Sequence, residues 1–477
     1  MHVPNRGSIA GVIAITAGFA CADPPPLAAA FPMGQVVENR ASLRHNAADS
    51  GIDIVRMPPK ARDVGQTGSG PPGGQSPQAT AKPQGRLLKL TVKLSSQPFD
   101  NQKGWLGIRM EPLDGVLSTS LGLDNANGAL VLDALANGPM SQSGIRFGDV
   151  IVALNGKVLE GTSDLLRRVA AMSPGGSAEL NVWRGSAEEA DFLQALRRLA
   201  YGGNAQVMAL LGKLYATGSG VVRDDTEAVL WYRRGAQAGN TVAMTALGTM
   251  ALEGRGMPRD AQEGVRWLTA AADKNHLEAM QRLARLLADG RVVERNAPEA
   301  MRLFNKAAEA GYVVAMVDLG LMYARGDGVA ADPVKAASWY KRAADLGNSA
   351  AMVNLGLLHA QGRGVALDPD AAVALYRKSV GLGNSAGMHN LAWMLDSGKG
   401  VERKNPEEAA DLIMKSLERR HEFSLKQMKE NSRAWSKEFR QALQRRLRDA
   451  GVYVGPTDGE FKDTTLAAMD LYFNRPR

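Results

Sequence analysis

The feature that most constrains this chain is a period of 36 residues that holds six times without an insertion. Glycine or alanine recurs at Gly212, Gly248, Ala284, Gly320, Gly356 and Ala392, and glycine recurs at 218, 254, 290, 326, 362 and 398. Methionine recurs at 208, 244, 280, 316, 352 and 388, and Gly239, Asn275, Gly311, Gly347 and Gly383 hold the same spacing. The first slip is a single residue, near Pro406. A repeat this short cannot bury its apolar face alone, so the units must stack into one continuous core. Each unit reads as two helices. The first has the form A-M-x-x-L-G-x-x-Y, as in Ala315–Tyr323, and a G-x-G-V turn follows, as at Gly326–Val329. The second has the form A-x-x-W-Y-x-x-A-A, as in Ala336–Ala344, and ends at a glycine suited to a left-handed cap. The small residue of the first helix lets the pair approach closely, while Trp231, Trp267, Trp339 and the tyrosines fill the space between units.

The period also runs backwards. Gly203-Asn204 is in register with Gly239-Asn240, which predicts a capping half-repeat at 187–200 and a solenoid over 187–420. Six methionines at one position could form a soft binding stripe. Packing between units is the favoured reading, because each follows directly on the small residue of its helix. Asp318, Asn354 and Asn390 share a position just before the helix glycine, and are the expected inner-face ladder for a peptide backbone. The pattern is similar to Sel1-like repeats, relatives of tetratricopeptide repeats. That resemblance implies an adaptor whose concave face grips a protein partner.

Upstream lies a different texture. Short apolar runs at 105–108, 129–132, 149–154 and 178–183 alternate with turn signals at Asn127-Gly128, Asn155-Gly156 and Gly175-Gly176. One helical stretch, Ser163–Met172, has Leu165, Leu166, Val169 and Met172 on one face. This predicts a small α+β unit over 86–185. The strings GWLGI (104–108) and GPMSQSGIRFGDVIVALNG (138–156) resemble a PDZ domain of the bacterial periplasmic, HtrA type, here without its protease domain. The resemblance implies that the Trp105-Leu106-Gly107-Ile108 loop receives a peptide C-terminus, with Leu106, Ile108, Leu166 and Val169 lining an apolar pocket. For Leu106 and Val169, simple core packing is an equal reading. The alternating strand at 88–94 looks like the tail strand of a preceding copy, although nothing before it supports a whole one.

The first 22 residues have the n-region, apolar run and A-x-A pattern of a cleaved signal peptide. The run Gly7–Ala20 is too short to span a bilayer. Lipidation at Cys21 is the alternative, but Gly18 and Phe19 fit that signal poorly. Export implies the periplasm or cell envelope of a Gram-negative bacterium, with no transmembrane segment in the mature chain. Residues 23–85 read as disordered linker: Gly65–Gly85 holds six Gly and four Pro in 21 residues.

The net charge is +8, and a local +6 of it falls in Lys415–Asp449, eleven Lys or Arg against five Asp or Glu. A solvated helix face is the commoner meaning of such a run, and no nucleic-acid partner is expected. From 443 to 472 the pattern changes to helix, tight turn, helix and resembles the small peptidoglycan-binding domain of cell-wall proteins. Val452 and Lys462 depart from its pattern. The resemblance makes Tyr453, Asp458 and Phe461 wall-binding candidates within a basic-helix module at 421–477.

No catalytic constellation emerges. The six histidines have no metal-ligand spacing, and no nucleotide fingerprint is present. Gly383–Gly387 formally matches G-x-S-x-G, but it is an inter-repeat loop with no strand before it. The expectation is therefore a multidomain, mainly α protein: a small PDZ-like domain, an α-α solenoid of Sel1-like repeats and a small helical C-terminal module. It would be a non-enzymatic scaffold with no cofactor and no metal, binding protein partners and peptide C-termini, with peptidoglycan as a further ligand. The alternative is a regulator or adaptor of a periplasmic protease or cell-wall hydrolase.

Overall fold

The computed structural model describes residues 85–475 except 98–99, 114, 121–122, 124–126, 136–137 and 186–188. The expected leader, Cys21 and the linker up to residue 84 lie outside the described residues. Short β-branched and leucine-rich runs punctuated by glycine turns build an antiparallel sheet first. Its strands are β1 (Gly85–Lys93), β4 (Ile108–Pro112), β5 (Ala129–Ala134), β6 (Val150–Leu154), β7 (Lys157–Val158) and β8 (Ser177–Gly185), with β2 (Ser95–Gln97) and β3 (Asp100–Trp105) in a separate pair. The order is β1-β8-β6-β5-β4, with β7 hanging off β6. Asn155 and Gly156, at φ 50° and 73°, make the two-residue turn between β6 and β7.

The alternating strand at 88–94 is not the remnant of another domain. It is the integral edge strand β1, paired along its length with β8 from Gly85↔Gly185 to Lys93↔Ser177. Burial of Val92 and Leu94 against Leu106, Val131, Ile151 and Val182 explains why it stays. Two short helices complete this unit, α1 (Gly115–Ser120) and α2 (Thr162–Ala170).

Helices then follow in pairs of 13 residues each: α4 (Ala205–Thr217) with α5 (Asp225–Gln237), α6 (Thr241–Glu253) with α7 (Ala261–Asp273), and α8 (Leu277–Asp289) with α9 (Ala297–Glu309). The next pairs are α10 (Val313–Arg325) with α11 (Pro333–Asp345), α12 (Ser349–Gln361) with α13 (Pro369–Gly381), and α14 (Ser385–Ser397) with α15 (Pro406–Glu418). Before them stands α3 (Glu189–Tyr201), which ends at a glycine of φ 94° and the capping Asn204, as α5, α11 and α13 end at Gly239-Asn240, Gly347-Asn348 and Gly383-Asn384. Capping chemistry sets the boundaries. Asn204, Asn240, Asn348 and Asn384 accept N–H groups of the first turn, and Asp or Asn does the same for every second helix. Each first helix stops at a glycine with φ between 64° and 78°.

The repeated small residue has a definite partner twenty residues on. A Cβ at Gly320 would stand 2.5 Å from Tyr340 Cε1, and one at Gly356 would stand 2.7 Å from Tyr376 Cε1. In these units the tyrosine ring of the second helix therefore packs directly against the backbone of the first. All six stripe methionines are buried, at 8% exposure or less, and pack between units. The chain closes with α16 (Glu422–Glu430), α17 (Lys437–Asp449) and α18 (Asp463–Phe473). Among the described residues, no helix is long and apolar enough to cross a membrane.

Candidate peptide-binding site

Among the described residues, β4 is the last strand of its sheet, so its outer edge presents unpaired backbone groups. The turn that feeds it is shaped by glycine. Gly107 has φ 68°, and a Cβ there would meet the Gly138 backbone at 2.6 Å. Gly104 is required by packing. Its N–H donates to the Met172 carbonyl at 2.8 Å, and a side chain there would strike the end of α2. That leaves Leu106 and Gly107, both buried, whose N–H groups have no backbone acceptor among the described residues. Adjacent amides on a left-handed turn form a concavity that suits a carboxylate.

The pocket residues divide. Leu106 and Val169 are buried in the domain core, with Ile108 packed half-exposed against them. Leu166 lies on the same face of α2 as Val169 but is 51% exposed. Trp105 is half-buried at the end of β3. The result is a closed floor, Leu106 and Val169, with an accessible rim, Ile108 and Leu166.

The expected inner-face ladder is occupied from within. Asp318 is buried, and Arg285 of the preceding pair grips it through two contacts of 2.9 and 2.8 Å, while Gln281 Nε2 donates to it at 2.5 Å. Burial pushes the Asp318 carboxyl up in pKa against the pull of Arg285 and Gln281. Asn390 is also buried, with an unpaired Nδ2, and only Asn354 is half-exposed. The serine of the G-x-S-x-G string is the first residue of α14, capped by Asn384, as its place in the repeat predicts.

In the tail, Tyr453 is buried, and its hydroxyl donates to the Pro456 carbonyl at 2.7 Å. Buried Gln444 holds the whole turn: Nε2 donates to the Glu460 carbonyl at 2.9 Å, and Oε1 accepts the Gly459 N–H at 2.8 Å. Asp458 accepts the Glu460 N–H, which helps hold its carboxyl below the usual range. Tyr453 and Asp458 thus shape the turn, while Phe461 packs half-buried beside it. Part of the basic run is neutralised internally: Arg445 pairs with Glu407, Arg446 with Asp411, and Lys429 with Asp470. Among the described residues, no group of three or more His, Cys, Asp or Glu could hold a metal.

Sequence reasoning missed the back of the site. Ile108 and Met110 turn toward the domain core, and Arg109 and Glu111 turn the other way. There they meet the first helix pair: Glu111 pairs with Lys213, and Arg109 lies 3.5 Å from Ser219 Oγ and 3.6 Å from Asp133. Leu113, Leu130, Leu132 and Val150 belong to one core cluster with Leu196, Leu211 and Leu214 of α3 and α4. Phe147 stacks edge-on against Phe192 at 5.1 Å and also covers Gly220. In later units the glycine equivalent to Gly220 packs on the start of the preceding second helix, as Gly256 does on Asp225 and Gly364 on Pro333. The alternation in β4 could have flagged a second, polar face, but not what covers it.

An open-edged sheet fused to a helical-repeat solenoid defines an interaction protein. In particular, the chain carries a PDZ domain, matched over residues 104–190, and six Sel1 repeats, matched at 205–240, 241–276, 277–312, 313–348, 349–384 and 385–413. The PDZ region is similar to that of a probable periplasmic serine endoprotease DegP-like of Rhizobium meliloti, 46% identical over 87 residues, covering 18% of this chain and 17% of that protein. A protein of the same description from Bartonella henselae is 35% identical over 144 residues, covering 30% of this chain and 28% of that one. The chain thus spans under a third of the length of these relatives. Among solved structures it is similar to a Sel1 repeat protein from Oxalobacter formigenes, 31% identical, with a TM-score of 0.44 over 47% of this chain and 90% of that one.

Proposed function

We infer that the protein is a non-enzymatic scaffold of the bacterial periplasm or cell envelope, exported by a cleaved leader at 1–22. Its PDZ groove captures a C-terminal or extended peptide, its solenoid holds a protein partner, and its tail favours association with peptidoglycan. The observation that carries the reading is the edge of β4, unpaired among the described residues, which ends at the amides of Leu106 and Gly107 that have no backbone acceptor among them. A strand added to that edge gains main-chain hydrogen bonds from β4 and side-chain selection from the rim. The similarity to DegP-like proteins supports the periplasm. It equally supports the second reading, an adaptor that presents substrates to a separate protease. The tail similarity over 443–472 supports wall association.

Leu166→Glu is the test of choice, because that side chain is already 51% exposed and the change leaves the core intact. The intact protein and this variant are used to capture partners from periplasmic extract. Loss of specific species with L166E is expected, and identical captured sets would overturn the groove reading. Separately, the purified chain should co-sediment with peptidoglycan sacculi, and its staying in solution would remove the wall from the proposal.

A further inference from the structure

We propose that the peptide in this groove is read on two faces, by α2 on one side and on the other by a rim of β4 whose charge the first solenoid repeat sets. The proposal rests on the peptide-groove reading. A carboxylate at the Leu106 and Gly107 amides places the peptide's last residue opposite Ile108, because an added strand runs antiparallel to β4. Side chains alternate across a strand, so the last residue and the one two before it face the apolar rim of Ile108, Met110 and Leu166. The residues one and three before the end then lie opposite Arg109 and Glu111, on the face that the solenoid covers. Directly opposed side chains on one face interact, with opposite charges favoured and like charges penalised.

Neither β4 side chain acts with its bare charge. Arg109 is held between Asp133, at 3.6 Å, and Ser219 of the first inter-helix turn, at 3.5 Å. Ser219 is itself buried and bonded to Thr217 at 2.9 Å. Glu111 is paired with Lys213 of α4, a contact between residues 102 apart in sequence. Leu113, just beyond β4, is part of the solenoid core, so this geometry is continuous with the interface between the two parts. The occupant is thus an extended C-terminal peptide with apolar residues at the last and third-last positions. The second-last position, opposite Arg109, has no charge preference, because Asp133 pairs with Arg109. The fourth-last position has no charge preference, because Lys213 neutralises Glu111.

The test is a library of random heptapeptides displayed with free C-termini and selected on the full chain, on Lys213→Gln, and on Glu111→Gln with Lys213→Gln. Wild type should enrich apolar residues at the last and third-last positions, with no charge preference at the second-last or fourth-last. Lys213→Gln leaves Glu111 unopposed and should raise Lys and Arg at the fourth-last position about threefold, which the second substitution should abolish. Thermal unfolding of each variant confirms that the selections compare folded proteins, and Lys213→Met replaces Lys213→Gln if the latter is unstable. An unchanged fourth-last profile in a folded Lys213 variant overturns the two-face proposal while leaving the groove reading intact. No enrichment at the last and third-last positions overturns the groove reading and this proposal together.

Discussion

Tyr340 is among the largest fully buried side chains, and its ring rests on a backbone that has no Cβ at Gly320. Gly320→Ala puts a methyl into that ring and should cost about 1–3 kcal/mol by overpacking. The chain itself shows other fillings of this contact: Gly248 faces Leu268, and where the small residue is alanine, at Ala284 and Ala392, the equivalent side chains are Phe304 and, past the one-residue slip, Ile413, none of which carries a hydroxyl into the contact. Adding Tyr340→Leu to Gly320→Ala should therefore recover part of the loss, and urea denaturation of both variants checks it. A double variant weaker than the sum of its parts would sink this account. Asp318 gives a second residue-scale case. Its carboxyl is spent on Arg285 and Gln281, so Asp318→Ala removes a buried, bidentate acceptor and should destabilise the fold by about 2–4 kcal/mol. A surface peptide-binding role would instead leave the denaturation midpoint unchanged and affect partner affinity alone.

At the scale of elements, the period dictated the helices, and the caps fixed their ends within a residue or two. The capping asparagines and positive-φ glycines act locally, through groups a few residues away, and so they are legible in sequence. The contacts that join unlike elements are not. Phe147 sits in a turn whose sequence speaks only of the PDZ fold, yet it covers Gly220, where later repeats place the start of a preceding helix. Asp318 was legible as a shared position but not as a buried one, because its partner Arg285 is 33 residues away on another helix. Likewise the GPTDG turn announces itself, while buried Gln444, which holds it, looks like any polar residue on a basic helix. Phe147→Ala should loosen α3 and α4 by about 2 kcal/mol. Hydrogen exchange should then accelerate in 189–221 and hardly change beyond 260. Uniform acceleration along the whole solenoid would contradict a local capping role.

For the whole molecule, a solenoid has two ends that must be covered, and two unlike modules cover them. The sheet closes the first repeat, and the tail closes the last. Trp435, Phe439, Leu443 and Leu447 share a core with Leu412, Ile413 and Leu417 of α15, and Asp396 accepts the Ser436 N–H at 2.8 Å. A buried polar knot lies in that junction: Ser424 Oγ is 3.0 Å from His389 Nδ1, 2.8 Å from His421 Nδ1 and 2.8 Å from Ser416 Oγ, with Phe423 and Trp435 packed on His389. Burial pulls the two imidazoles down, His389 to about 3, with the neighbouring His421 adding to it, and His421 to about 4. Both are neutral in the folded protein, and in the unfolded chain they take up protons near the ordinary value of 6.5. The unfolded state therefore binds more protons between those limits, so the stability these residues contribute is complete above pH 6.5 and is lost as pH falls toward 4. Acidification from pH 7 to about 5 should open the tail junction before the sheet end, since the last repeat contacts only its neighbours. Hydrogen exchange corrected for intrinsic rates should show protection falling first in 385–449. Replacing both imidazoles, as His389→Asn with His421→Asn, should flatten that pH dependence while lowering stability at neutral pH. An equally steep acid loss in the double variant would show that other groups control this end of the solenoid.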